Sequence, residues 1–510
     1  MRRAAVVLAL AAAGCTATTP AATVFYASGA ELQSINPLVT VHPLAKQIQN
    51  FALFMTLARY DRELRARPSL ARAWTWSADR RGLELTLRDD VPWDDGVPTT
   101  ASDVAFTLDA ARDPATGYPR AADLACLTGV RVVDTLTVRL AFCRPQASFP
   151  DVLTDLAIVP AHLLADVPHA VLRRAAFNEH PVGNGPYRFV AHVPDARWVF
   201  AANPAFPAAL GGPPQIRRLV IVVVSEAATK LAGLVTGELD VAGILPMHAA
   251  LVRRDPALTA LDYPILFTVG LVWNTSRPPF DDPRLRRALT MALDRRRIVD
   301  AYLYGFGVVA DGPVPPWHPL AAAVPHVPYD RAGAAALLDA LGWKAGRDGW
   351  RARGGRRLAF TVLTVGSADN ALEQMLQADF RAVGVRMTIR QLELGAFLAR
   401  ATGGARDYDA LVTGIPGDLA LGDLRGLFDS RLLRGPLQYA QYRNAAVDSA
   451  LDAGDFAAVQ RIVARDLPIT FLYHARGLAG LTRRLHGVRM DLRGELASLE
   501  HWHLDPRPEP

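Results

Sequence analysis

The chain has 510 residues, half of them hydrophobic, and a formal net charge of +6. That length exceeds what one ordinary core organises, so two or three domains are expected. Nearly all the positive charge is Arg, since Lys occurs only as Lys46, Lys230 and Lys344. No Arg run is interleaved with aromatics, and that pattern excludes a nucleic-acid groove.

At the N-terminus Arg2 and Arg3 precede an apolar run, residues 4–13, that is too short to span a membrane. The run ends at Ala12-Ala13-Gly14-Cys15, and small residues before a Cys resemble a bacterial lipoprotein cleavage site. Residues 1–15 are then a signal peptide, Cys15 carries the lipid, and residues 16–23 form a tether. Leu is usual where Ala12 stands, so the other reading is an ordinary secretory signal cut among the alanines. Both readings export the protein, and no later segment has eighteen uncharged apolar residues in a row.

A strand is expected from Val24, and a helix over residues 47–60 with Ile48, Phe51, Ala52 and Met55 inward. Residues 83–88 alternate apolar and polar as a half-buried strand does. Asp89-Asp90 and Asp94-Asp95-Gly96 are turn chemistry on either side of Trp93. Thr100 and Asp103 form a shortened capping box ahead of a helix carrying Val104, Leu108 and Ala111. Two alternating runs around Asp134-Thr135 read as a hairpin with a two-residue turn. If Val133 faces Leu136, the same register sets Cys126 opposite Cys143, and a disulfide is expected in an oxidising compartment. A bulge near Gly129 would break that register and leave two buried thiols.

Helical spacing returns over residues 152–164. Pro181-Val182-Gly183-Asn184-Gly185-Pro186 is a turn that side chains would obstruct, and a strand follows it. The absence of a following Lys-Ser or Lys-Thr argues against a phosphate loop. A strand over 217–224, a helix over 226–235 and Asp240-Val241 then make a parallel crossover. Residues 267–274 alternate as a strand ending at Trp273 and Asn274. Asp281 or Asp282 caps the next helix. The Gly305-Phe306-Gly307 pattern follows a helix and leads into Pro313, which argues against a dinucleotide site. A helix over 329–342, a strand over 358–365, a helix over 371–383 and a strand from Gly384 make a second crossover unit. Acidic positions Asp418 and Asp423 follow in a Gly-rich loop.

Several of these stretches occur in a family's order. Trp93 to Asp103, Pro181 to Phe189, Asn203 to Phe206, Gly237 to Val241, Pro278 to Leu289 and Tyr442 to Leu451 together resemble family 5 extracellular solute-binding proteins, the capture components of ABC importers for peptides, nickel and related solutes. Asn184 replaces the family's Thr, and the acidic loop lacks its usual Tyr and Pro. The resemblance implies a two-lobed α/β fold of the periplasmic-binding-protein kind (type II), mixed sheets flanked by helices. Lobe I would span 24–266 with an inserted subdomain at about 46–170, lobe II 267–467, and residues 468–510 would return to lobe I. Hinges are expected near 265–270 and 466–472.

It further implies a monomer that binds a short peptide between its lobes and delivers it to a permease and ATPase subunits, from the periplasm or cell surface through its lipid anchor. Asp418 aligns with the acid that holds a peptide's ammonium in peptide-binding relatives. Asp423 is the other candidate, and either residue fits a plain helix cap equally. Trp273 and Asn274 are expected on the cleft wall, with core packing as the alternative for Trp273. A nickel or metal-chelate carrier is the rival reading, and a sensor or adhesion relative is a third. No cofactor, resident metal or catalytic residue is expected. No Gly-x-Ser-x-Gly or His-Glu-x-x-His occurs, and His501 and His503 are the only close His pair.

Overall fold

The computed structural model describes residues 22–40, 42–365, 370–403 and 405–505. The signal segment and Cys15 lie outside them. Ten strands form the path of the main sheet, in the order Arg386–Leu392, Ala359–Val365, Ala410–Pro416, Leu258–Trp273, Ile469–Thr482, Val241–Gly243, Thr23–Ser28, Arg218–Val223, Arg197–Ala202, Tyr187–Val193. Gly307–Val309 pairs with Ile469–Thr482 beside this path.

Each end of the sheet has its own parallel unit. Thr23–Ser28 runs parallel to Arg218–Val223 and to Val241–Gly243, and the helix Ala227–Thr236 makes the crossover. Ala359–Val365 runs parallel to Arg386–Leu392 and to Ala410–Pro416, with Ala371–Ala382 crossing over. Two long antiparallel strands, Leu258–Trp273 and Ile469–Thr482, join the two units. The cores are separate. One gathers Val24, Trp93, Trp198 and Trp502; another Trp273, Phe280, Phe360 and Phe380; a third Phe428, Tyr442 and Val459; a fourth Leu234, Ile244 and Val252. The fold is therefore a two-lobed α/β protein, with the first and fourth cores in one lobe and the other two in the second.

A four-stranded antiparallel sheet, in the order Ala71–Trp76, Gly82–Leu87, Thr137–Phe142, Leu127–Asp134, packs with the helix Ala101–Arg112 in the first lobe. The capping box is present: the Asp103 carboxylate accepts the Thr100 N–H at 2.7 Å. The indole pair belongs to a strand, where Trp74 meets Phe149 at 4.6 Å and Trp76 meets Phe142 at 6.0 Å.

The hairpin turn sits one residue further on than the expected one. Asp134 faces Thr137, not Val133 Leu136, and the register shifts at two places before Leu127 faces Phe142. Those two irregularities carry the strands into the register that sets Cys126 against Cys143. Their sulfurs are bonded at 2.09 Å, and the Cys143 N–H donates to the Cys126 carbonyl at 2.8 Å. A perfect ladder from the observed turn would have missed this pairing by two residues.

The helix expected over 47–60 is shorter. It runs Pro43–Ile48, continues as a π turn over Gln49–Leu53, and gives way to the strand Ala58–Tyr60. The Pro181 to Pro186 loop presses on that end. A Cβ on Gly183 would lie 2.0 Å from the Leu53 carbonyl oxygen, and one on Gly185 2.4 Å from that of Ala52. Asn184 fills the remaining gap, accepting the Met55 N–H at 2.9 Å and donating to Thr99 Oγ1 at 3.3 Å. The apolar run at 152–164 is split into Val152–Asp155 and Ala161–Leu164, with Pro160 between them. After Ala445–Ala453 an eleven-residue helix, Phe456–Asp466, follows.

Candidate ligand-binding cleft

A cavity of about 800 Å³ lies between the lobes, within the size range of small-ligand sites. The first lobe supplies most of its wall. Tyr26 to Ala30 come from the carboxyl end of the first strand, and Lys46, Gln47, Asn50 and Phe51 from the first helix and the π turn. Tyr60, Arg120, Asp151 and Asp155 line one side, and Asp491 to Glu495 come from the C-terminal segment. Ile265, Leu266 and Phe267 lie where the long strand crosses. Gly417, Asp418 and Leu419 come from the loop that follows Ala410–Pro416.

Asp418 is held by its own loop. One carboxylate oxygen accepts the N–H groups of Ala420 and Gly422 at 2.8 and 3.0 Å, and the other that of Asp423 at 2.6 Å. It thus caps the short helix Asp423–Phe428 and also faces the cleft. A carboxylate offers about four acceptor positions, so this one retains capacity for a ligand donor. Asp423 is not on the wall. Its carboxyl is pushed up to about 7 by burial and by the negative charge of Asp418 beside it.

Trp273 and Asn274 are not cleft residues. Trp273 is fully buried, stacks on Phe280 at 5.0 Å, meets Phe360 edge-on at 5.3 Å, and donates its indole N–H to Thr470 at 3.0 Å. Asn274 ties the strand end to the neighbouring loop, donating to the carbonyls of Arg406 and Tyr408 at 3.1 and 3.0 Å. Core packing, the alternative for Trp273, is what the structure shows: Thr268 to Trp273 are buried without alternation, and the indole enters the core of the second lobe.

Opposite Asp418 stands a charged network that local sequence patterns do not reveal. Lys46 Nζ pairs with Asp155 at 3.0 Å, and Arg120 reaches Asp123, Asp151 and Asp155 at 2.7, 3.2 and 2.7 Å. Burial alone would raise Asp155, but Lys46 and Arg120 outweigh it and hold the carboxyl below its ordinary value. Asp151 goes the other way. Burial pushes it up to about 6, against the pull of Arg120 and with the help of Asp418 and Asp155. Burial and Asp151 likewise raise the Tyr60 phenol. On the C-terminal side, burial pushes Glu495 up to about 7, and it accepts the Tyr263 hydroxyl at 2.8 Å. The one sequence signal here was rarity: two of only three Lys, Lys46 and Lys230, line this cleft.

Metal ligation finds no comparable arrangement. Among the described residues no group of three or more His, Cys, Asp or Glu could hold an ion. His501 ends a 3₁₀ turn and does not share a strand face with His503, which instead stacks on His486 at 5.4 Å.

Comparison with known proteins places this geometry. Residues 65–424 match the model of the bacterial extracellular solute-binding proteins, family 5 middle region. The oligopeptide-binding protein AppA of Bacillus subtilis (strain 168) is 25% identical over 490 residues, covering 92% of this chain and 89% of the relative. Protein XP55 of Streptomyces lividans is 30% identical over 465 residues, covering 87% and 83%. Among solved structures, AppA from Bacillus subtilis in complex with a nonapeptide aligns with a TM-score of 0.78 at 24% identity, over 95% of this chain and 99% of its own. NikZ from Campylobacter jejuni in complex with Ni(L-His) aligns at 0.80 and 24%, over 95% and 100%. These two structures share the fold.

Proposed function

This chain belongs to the family 5 bacterial extracellular solute-binding proteins, and we propose that its cleft captures short peptides for an ABC permease and its ATPase subunits. Asp418 carries the reading. Three backbone N–H groups fix its carboxylate on the cleft wall, facing the first lobe. A fixed anion of this kind suits a peptide's ammonium, because a charge-assisted hydrogen bond formed away from water is strong. The peptide named for AppA supports the ligand class. The cavity volume leaves the remaining peptide surface room against Phe51, Tyr60 and Leu266.

The protein acts as a binder and not as an enzyme in this reading. It works outside the cytoplasm, anchored through Cys15, and as a monomer. No helix among the described residues is long and apolar enough to cross a membrane. Thermal-shift screening tests the ligand class. Pooled di- to pentapeptides are expected to raise the melting temperature. A rise with nickel–histidine and none with peptides would replace the peptide reading by the chelate one.

A further inference from the structure

The charges on the cleft wall leave one cation over. Lys46 faces Asp155 at 3.0 Å, Arg120 faces the same carboxylate at 2.7 Å, Arg493 faces Asp491 at 2.7 Å and Arg59 faces Glu500 at 3.6 Å. Lys230 also lines the cleft, yet among the described residues it forms no ion pair. It is half-buried, and burial is what lowers its pKa, with no charged neighbour opposing the shift.

Its position is set by the fold. Lys230 lies in the first turns of the crossover helix Ala227–Thr236, which follows the strand Arg218–Val223. The carboxyl end of that strand is tied to the first strand by the Val224 N–H donating to the Ser28 carbonyl at 2.9 Å. The ammonium rests against Gly29, where a Cβ would come within 3.3 Å of Nζ. This is the crevice at the carboxyl ends of parallel strands, where open α/β sheets bind ligands. A partly desolvated ammonium without a counter-charge is unfavourable in the empty cleft and is relieved when an anion enters.

We propose that Lys230 holds a carboxylate of the bound ligand, so that the cleft selects peptides carrying a negative group as well as the ammonium received by Asp418. The proposal rests on the peptide reading above. Two sources share this chemistry, the peptide C-terminus and an acidic side chain.

Four pools of tripeptides separate them: free acids and C-terminal amides, each with neutral side chains or with one Glu. Titration calorimetry reads their affinities for the wild type, Lys230→Met and Lys230→Arg. The neutral amides are expected to bind about tenfold to a hundredfold more weakly than the best anionic pool. Lys230→Met is expected to abolish that gap and Lys230→Arg to keep it. A gap between neutral acids and neutral amides assigns the C-terminus, and one that only Glu restores assigns the side chain. Equal binding of all four pools by the wild type overturns the proposal while leaving peptide capture standing, and so does a gap that persists in Lys230→Met. Binding of no pool overturns both.

Discussion

Asp94 and Gly183, far apart in the chain, bond to each other in both directions. The Asp94 N–H donates to the Gly183 carbonyl at 2.8 Å, and the Gly183 N–H donates to the Asp94 carboxylate at 3.3 Å. Two of the most recognisable motifs in the sequence are thus halves of one joint. Burial pushes the Asp94 carboxyl up to about 7, against the pull of the Gly183 N–H and of Arg188.

A raised carboxyl contributes stability that is fully present below its unfolded value near 4 and is lost as pH rises through about 7. Asp94→Asn removes that titration while keeping the shape. Relative to the wild type, the variant is expected to be unchanged at pH 4 and to gain on the order of 2 kcal/mol at pH 8, allowing for partial solvent screening. Urea unfolding at both pH values measures the difference; a gain that is the same at both would show that the carboxyl titrates normally.

Gly183→Ala puts a methyl group 2.0 Å from a backbone oxygen that the π turn holds in place. The expected loss is roughly 4 kcal/mol or failure to accumulate folded protein. Gly129→Ala is the control, since its Cβ would meet only the Ala141 side chain at 3.8 Å, and it should lie within about 0.5 kcal/mol of the wild type.

Asp418 holds its own loop, and N-acetylated peptides separate that duty from the proposed contact with a ligand ammonium. Asp418→Asn should weaken binding of peptides with a free ammonium by roughly tenfold to a hundredfold and leave N-acetylated peptides unaffected. Asp418→Ala should in addition lower the stability of the empty protein by about 1–3 kcal/mol, because three N–H groups of the loop lose their acceptor. Calorimetry and thermal melts are the readouts. Equal loss for free and acetylated peptides would leave Asp418 only the capping duty.

The bond between Cys126 and Cys143 closes a loop with a sequence separation of 17. Replacing both with Ser is expected to lower stability by about 3 kcal/mol, chiefly through the unfolded chain's regained freedom. Because neither cysteine lines the cleft, peptide affinity measured well below the melting transition should stay the same.

What could be read in advance had local causes. The Thr100–Asp103 box and the glycines of the Pro181 to Pro186 loop follow from constraints that a few adjacent residues display. The parallel crossovers follow from apolar runs of the right length. Registers and side-chain partners were less accessible, because they depend on distant events. The hairpin reaches its cysteine pairing through two irregularities that alternation does not encode, so the turn was misplaced by one residue. Trp273 was expected on the cleft wall and lies in the core of the second lobe, because the strand's end is covered on both faces by residues distant in sequence. The Lys46–Asp155 pair links residues 109 positions apart, a separation that no local pattern spans.

The two strands that join the lobes also constrain how the lobes can travel. Their ladder holds from Leu258 opposite Thr482 to Pro264 opposite Arg476, lapses, and resumes with Thr268 opposite His474. Hydrogen bonds on both sides of the lapse fix the register, so neither strand can slide past the other. What remains is bending and twisting at the lapse itself, as in a flexure cut into a single piece of metal. Ile265, Leu266 and Phe267 sit at that lapse and also line the cleft, and the Gly417 N–H donates to the Leu266 carbonyl at 3.0 Å, so Asp418 stands one residue from a backbone bond to the lapse. A molecule filling the cleft would therefore press on the lapse and on the Asp418 carboxylate together, so that occupancy and the bend of the joining strands are mechanically linked.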